Sequence, residues 1–305
     1  MSGMLRNYEH TIFSTNKFLF NDEFFELKDI FFCGYSDNQK LKNAQVKFQE
    51  LYSPKSFKLE NWSDELKKSI ELNTGCDKWE KLKNHNANLT NVMSSWRCRY
   101  LANQLRIKYE KENNIKYDII YNLRSDLFFF NKIDHNLALK ASKDYKSVFV
   151  PRDWDFKSAN KIAIGDIMAI GSPPAMTKYY SLYKHANDYR KKMVPGHPET
   201  ILGYHFKFQK IKRRYCLRNL AREYPYSIPE TNYLWKKNWP IQELLKEVKN
   251  NQDLLSIFKS IIKKNYQVKN KRKIINFFNF IKKSINYMKK IFIDSVIRFF
   301  ILSRN

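Results

Sequence analysis

Residues 117–129, Tyr-Asp-Ile-Ile-Tyr-Asn-Leu-Arg-Ser-Asp-Leu-Phe-Phe, set a guanidinium and a carboxylate two apart between apolar runs. At a strand end, the short carboxylate of Asp126 can hold a divalent cation by one or two oxygens, and that cation can bind a diphosphate. Arg124 can take a phosphate directly through paired N–H groups. An arginine–aspartate pair that merely finishes a strand would have the same spacing. Asp153-Trp154-Asp155 is a D-x-D pair whose carboxylates point the same way on extended chain and can share a cation, or else sit solvated in a loop. Asp166 stands alone among apolar residues and must be paired, be bonded to loop amides or carry a raised pKa, as a functional acid or as a turn-forming one. Glu199, next to His197-Pro198, falls in the first turn of a helix, where the dipole alone explains an acid. As a general base it would need a substrate hydroxyl within reach. Near the start, Gly3 after Ser2 permits a tight turn with Arg6 close by.

The elements that must position these groups alternate. Residues 117–121 read as a buried strand ending at Arg124, residues 29–34 as another, and residues 147–151 as a third closed by Pro151. Residues 161–172 read as a strand pair, or as one strand with a glycine-punctuated loop. Val92, Trp96, Tyr100 or Leu101, Leu105 and Tyr109 recur at helical spacing over residues 89–113. A helix with proline in its first turn follows Ser172, and another starts at Pro198. Residues 41–85, polar and lysine-rich, are expected to be helices and loops broken at Pro54 and Gly75. Such alternation up to about residue 220 predicts an α/β fold with a largely parallel sheet. Ligands of such sheets bind beyond the carboxyl ends of the strands, which is where Arg124 and Asp126 fall.

Composition narrows the function classes. The 305 residues are 43% hydrophobic and 16% aromatic, enough for a real core, with only seven glycines and nine prolines. The net charge of +26 favours anionic partners: nucleic acid, an acidic membrane surface or phosphorylated substrates. Residues 259–305 hold 13 Lys or Arg against one acid, Asp294, so nearly half of the excess lies there. Nucleic acid is disfavoured as the partner, because no finger, helix-turn-helix or RNA-binding signature accompanies the charge. The four cysteines, Cys33, Cys76, Cys98 and Cys216, show no metal-finger spacing and read as reduced cytosolic thiols. No apolar leader opens the chain, and no run of 18 apolar residues could span a membrane.

After Pro240 there is neither glycine nor proline, which predicts a helical appendage over residues 241–305 behind a domain of residues 1–240. From Ile274 to Leu302, Asn, Lys and Arg recur every three to four residues, and Phe277, Phe278, Ile281, Ile285, Met288, Phe292, Val296 and Phe299 fill the other face. That pattern suits a helix lying in the plane of an anionic membrane, or one packing on protein.

In order along the chain, Ser2–Thr11, Tyr117–Phe129, Gly165–Tyr183 and His197–Phe206 are similar to segments of glycosyltransferases with a GT-A-like nucleotide-diphospho-sugar fold, of the capsule, O-antigen and lipopolysaccharide kind. The resemblance covers residues 1 to about 215. It implies a nucleotide sugar lying across the strand ends, a glycan or lipid-linked acceptor, and a cytoplasmic enzyme peripheral on the membrane. Ser2, Gly3, Arg6 and Arg124 would contact the nucleotide and its phosphates. Asp126 would replace the last acid of the family's D-x-D motif and bind Mn²⁺ or Mg²⁺. Arg124 stands where that motif has its first acid, and could supply part of the cation's charge. Asp166 and Glu199 look like the acceptor-side acids, one of them a base. The strand that should precede Ser2 is nearly absent, a second departure from the pattern.

Overall fold

The computed structural model describes residues 1–4, 12, 15–16, 19, 26–36, 41–80, 87–125, 127–129, 134–151, 162–216 and 221–223. The chain divides into two units, Met1–Tyr224 and Pro225–Asn305, and all described residues lie in the first. The tail expectations therefore fall outside them.

The fold is α/β. Strands β1 (Ser2–Met4), β2 (Phe31–Ser36) and β3 (Ser56–Asn61) form a parallel sheet in that order. Strands β4 (Ile120–Asn122), β6 (Ser147–Pro151), β7 (Ala169–Gly171) and β8 (Lys212–Cys216) form a second, in the order β4-β7-β6-β8. In it β7 runs antiparallel to both neighbours and β6 parallel to β8. The N–H of Ser2 donates to Leu123 O at 3.0 Å, and Ser2 pairs in parallel with Arg124. This contact joins the two sheets edge to edge as β3-β2-β1-β4-β7-β6-β8, parallel but for β7. Strands β5 (Leu127–Phe129) and β9 (Ala221–Glu223) make a separate antiparallel pair.

Helices cover both faces of the parallel half, which is why β2 reads as an unbroken apolar run. Phe32 packs on Phe48 of α1 (Leu41–Tyr52), ring centres 4.4 Å apart. The residues on either side of it turn the other way, to α3 (Leu89–Asn113). There Phe31 meets Tyr109 at 5.5 Å, and the Tyr35 hydroxyl donates to Ser94 O at 3.3 Å. The start of β2 thus meets the end of α3, and its end meets the first half, so α3 runs antiparallel to the sheet. Asn88 caps α3 by accepting from Asn91 N, and Asn114, left-handed at φ 51°, stops it. Between β3 and α3, helix α2 (Asp64–Thr74) is capped by Ser63 and closed by Gly75 at φ 63°.

Two short helices, α5 (Pro173–Tyr180) and α6 (Leu182–Lys191), follow β7, and α7 (Pro198–Phe208) precedes β8; α4 (His135–Lys143) lies before β6. The largest core gathers Met93 and Trp96 of α3, Val148 and Val150 of β6, Met176 and Tyr179 of α5, and Ile201, Leu202 and Phe206 of α7. Trp79 is tied into it by its indole N–H, 2.5 Å from Val194 O.

Three sequence expectations change. Residues 56–61 are a strand, although the lysine-rich surroundings suggest helix and loop. The helix expected after Ser172 is two helices broken at Ser181. Gly3, expected in a tight turn, is the middle residue of strand β1. Residues 161–172 follow the second of their two readings: one strand, β7, preceded over residues 162–168 by irregular chain with a bend at Ile167. Among the described residues no helix is long and apolar enough to cross a membrane.

Candidate functional site

The strand order runs from β1 outward to β3 on one side and from β4 outward on the other. Chain direction in the sheet therefore switches between β1 and β4, and in open α/β sheets the crevice beyond the carboxyl ends at such a point receives ligands. Here Ser2 and Arg124 lie side by side at that point, joined by the backbone bond to Leu123 O. Gly3 is next along β1, paired with Gly34 of β2, so the sheet carries no side chain on either face at that pair. Ser2 itself is buried, its hydroxyl without a hydrogen-bond partner. It fixes the register that sets Arg124 beside β1.

Asp166 comes to the same end of the sheet by a different route. The antiparallel β4–β7 register pairs Asn122 with Ala169, so the chain just before β7 runs alongside the chain just after β4. Asp166 lies in that stretch. Its Oδ2 accepts from Nη2 of Arg99 at 3.0 Å, and the same nitrogen donates to the Asp166 carbonyl at 3.0 Å. Arg99, from α3, is 1% exposed, and its guanidinium lies 4.3 Å over the Trp96 ring. The isolated acid of the sequence is thus an ion-paired one.

Glu199 is held next to this segment. Its carbonyl accepts from Ile164 N at 2.9 Å, two residues before Asp166. Gly203, one turn on in α7, makes room: a Cβ there would lie 1.9 Å from Ile162 O. His197 caps α7, its Nδ1 facing Thr200 N at 3.4 Å and Thr200 Oγ1 at 3.1 Å. Glu199 Oε2 lies 3.4 Å from the same Nδ1. With Nδ1 accepting from Thr200, the ring is neutral and that contact is no ion pair, the assignment the capping geometry favours.

At the carboxyl ends of β2 and β3 a third charged group faces α3. Arg97 forks onto both oxygens of Glu60 and donates to the Tyr35 hydroxyl at 3.1 Å. Burial alone would raise the Glu60 pKa, but the Arg97 hydrogen bonds and charge outweigh it and hold the carboxyl below its ordinary value. Sequence reading passed over both Arg97 and Arg99, because arginines on a periodic helix are assigned to its wet face. The available signal was Arg99 three residues after Trp96, on the buried stripe.

Arg124, Asp166 and Glu199 therefore share the carboxyl-end side of the sheet, with Arg124 beside β1. Arg6, Asp126 and the Asp153/Asp155 pair lie outside the described residues. Among the described residues no three His, Cys, Asp or Glu side chains gather into a donor set for a cation. A cavity of about 140 Å³, lined by Ile30, Phe31, Asn103, Arg106, Tyr117 and Ile120 among others, opens at the opposite, amino ends of the strands. Tyr117, Ile119, Ile120, Tyr121 and Leu123 of the 117–129 stretch line it, but none of the charged candidates does, so the carboxyl-end side of the strand switch, where Arg124 and Asp166 lie, is the candidate site. No protein-family model, no curated protein and no solved structure matches this chain.

Proposed function

We propose that the chain is a glycosyltransferase of GT-A-like fold, moving a sugar from a nucleotide-diphospho-sugar to a glycan or lipid-linked acceptor in surface polysaccharide synthesis. The observation that carries the reading is the backbone join of Ser2 to Leu123 and Arg124 at the point where strand order reverses. A nucleotide diphosphate laid across that crevice would meet strand β1 on one side and the Arg124 guanidinium on the other. Transfer needs two things of the protein: charge to stabilise the departing diphosphate, and an acceptor for the proton of the attacking hydroxyl. Arg124, with Arg6, supplies the first. Asp166 or Glu199, both brought to the same end of the sheet, supplies the second. Mn²⁺ or Mg²⁺ at Asp126 would add charge at the diphosphate. The basic residues of the tail would keep the enzyme on an anionic membrane where lipid-linked acceptors reside.

Thermal unfolding of the full chain with UDP- and GDP-sugars, and with duplex DNA as the contrast, tests the reading. One nucleotide class should raise the midpoint, and Arg124→Ala should abolish that rise while leaving the unliganded midpoint within a few degrees. Stabilisation by DNA and by no nucleotide sugar would overturn it.

A further inference from the structure

Arg99 is an expensive residue to bury. A guanidinium at 1% exposure must find compensation, yet its Nε and Nη1 have no hydrogen-bond partner. What it does have is spent on one residue: a single nitrogen grips both the side chain and the backbone carbonyl of Asp166, each at 3.0 Å. The grip is rigid from behind. The guanidinium stacks on Trp96, and Trp96 packs edge-on against Tyr179 at 5.1 Å, both rings fully buried. Gripping Asp166 at two points fixes its backbone and its rotamer together. The buried end of the pair is Arg99, whereas the Asp166 side chain is 21% exposed. Oδ2 is taken by Arg99, and Oδ1 has no hydrogen-bond partner among the described residues.

We infer that Arg99 is a positioning residue, holding Asp166 by one carboxylate oxygen and its carbonyl so that the other oxygen is presented to the acceptor hydroxyl. The inference rests on the glycosyltransferase reading above and goes beyond it by choosing Asp166 over Glu199 as the acid that receives the proton. In that step the hydroxyl proton passes to Oδ1, the hydroxyl oxygen forms the new bond to the anomeric carbon, and the bond from that carbon to the diphosphate breaks, its electrons leaving with the nucleotide. Arg99 touches neither substrate.

The test uses the full chain as Arg99→Met, Arg99→Lys, Asp166→Asn and the double variant Arg99→Met/Asp166→Asn, with whichever UDP- or GDP-sugar the wild type turns over. Arg99→Met should lower kcat about 100-fold, the scale of a small misplacement of a reacting group. The donor KM should stay within about twofold, because the nucleotide crevice is untouched. Arg99→Lys keeps the buried charge and carries the test if Arg99→Met does not fold; a point charge cannot reproduce the same grip, so it should recover no more than about a tenth of kcat. The double variant should be no slower than Asp166→Asn, as expected of two residues acting as one unit. Wild-type kcat in both arginine variants, donor affinity lost in step with kcat, or a double loss equal to the product of the single losses would each overturn the inference. If the wild type turns over none of these sugars, the glycosyltransferase reading falls first. Arg99 is then judged by urea unfolding of the same four variants: non-additive effects of fivefold or more on the unfolding constant support the grip, and additive ones refute it.

Discussion

His205 makes the stability of this protein depend on pH in a window that can be worked out in advance. It sits on α7 with no exposed surface. Its Nε2–H donates to Lys178 O at 2.8 Å, and its Nδ1 accepts from the Tyr189 hydroxyl at 2.7 Å. That tautomer satisfies both nitrogens of a neutral ring; a second proton would force the Tyr189 hydroxyl to turn from donor to acceptor and place a charge in the buried site. Burial pushes the pKa down from 6.5 to about 4, against the opposing pull of the Lys178 carbonyl. The unfolded chain takes up a proton near pH 6.5 and the folded chain only near pH 4. Stability from this group is therefore complete above pH 6.5 and is lost as pH falls towards 4. Each unit of difference is worth about 1.4 kcal/mol, so the whole loss is about 3 kcal/mol.

His205→Gln isolates the effect, because the amide can donate to Lys178 O and accept from Tyr189 while never titrating. Urea unfolding of both proteins from pH 7.5 to 4.5 is the assay. At pH 7 the variant should be the less stable, by the packing lost with the ring. By pH 5 the wild type should have given up about 2 kcal/mol more than the variant, closing or reversing the gap. Curves that stay parallel across the window would show that His205 protonates without cost, and the neutral, doubly bonded ring would be wrong.

Two further substitutions probe the scaffold of the site. Gly203→Ala should cost about 1–3 kcal/mol of unfolding free energy, despite alanine's higher helix propensity, because its Cβ would press on the Ile162 backbone; a variant as stable as wild type would mean that residues 162–166 do not lie against α7. Glu60→Gln should cost about 1–2 kcal/mol at pH 7, the worth of a hydrogen-bonded charge contact. Since Arg97 holds the Glu60 pKa low, that advantage is present above pH 4.5 and should shrink as pH falls below it, so urea unfolding at pH 7 and pH 3 checks the sign.

Elements with a strong period or an obligatory cap were readable from the residues alone. Residues 147–151 and 89–113 match β6 and α3, and the proline starts of α5 and α7 fall where a missing N–H does no harm. Strand β3 escaped because its signal is weak: Phe57 and Leu59 alternate with Lys58 and Glu60, but it is the last strand of its sheet, half-buried along its length. The break at Ser181 has neither glycine nor proline to announce it. At the site, the neighbourhood of Ser2 and Arg124 follows from tertiary pairing between residues over a hundred apart, which no local pattern encodes.

The arginines of α3 show most clearly where local reading ends. A helical wheel puts Arg99 and Arg106, seven apart, on the buried face and Arg97 off it, but it assigns none of them a partner. What separates them is the direction of α3, which runs antiparallel to the strands it covers. Its first half is carried to their carboxyl ends and its second half to their amino ends. Arg97 and Arg99 thereby arrive where Glu60 and Asp166 emerge, and each finds its acid there. Arg106 arrives at the far end, where it pairs within the helix to Glu110 and lines the cavity. Helix direction is set by the crossover from β3 to β4, a property of the whole chain. One consequence is that the site end of α3 depends on partners from other elements, while Arg106 finds its acid four residues away. Disturbing the pairing of β1 with β4 should therefore reach the Arg99–Asp166 contact before it reaches Arg106–Glu110.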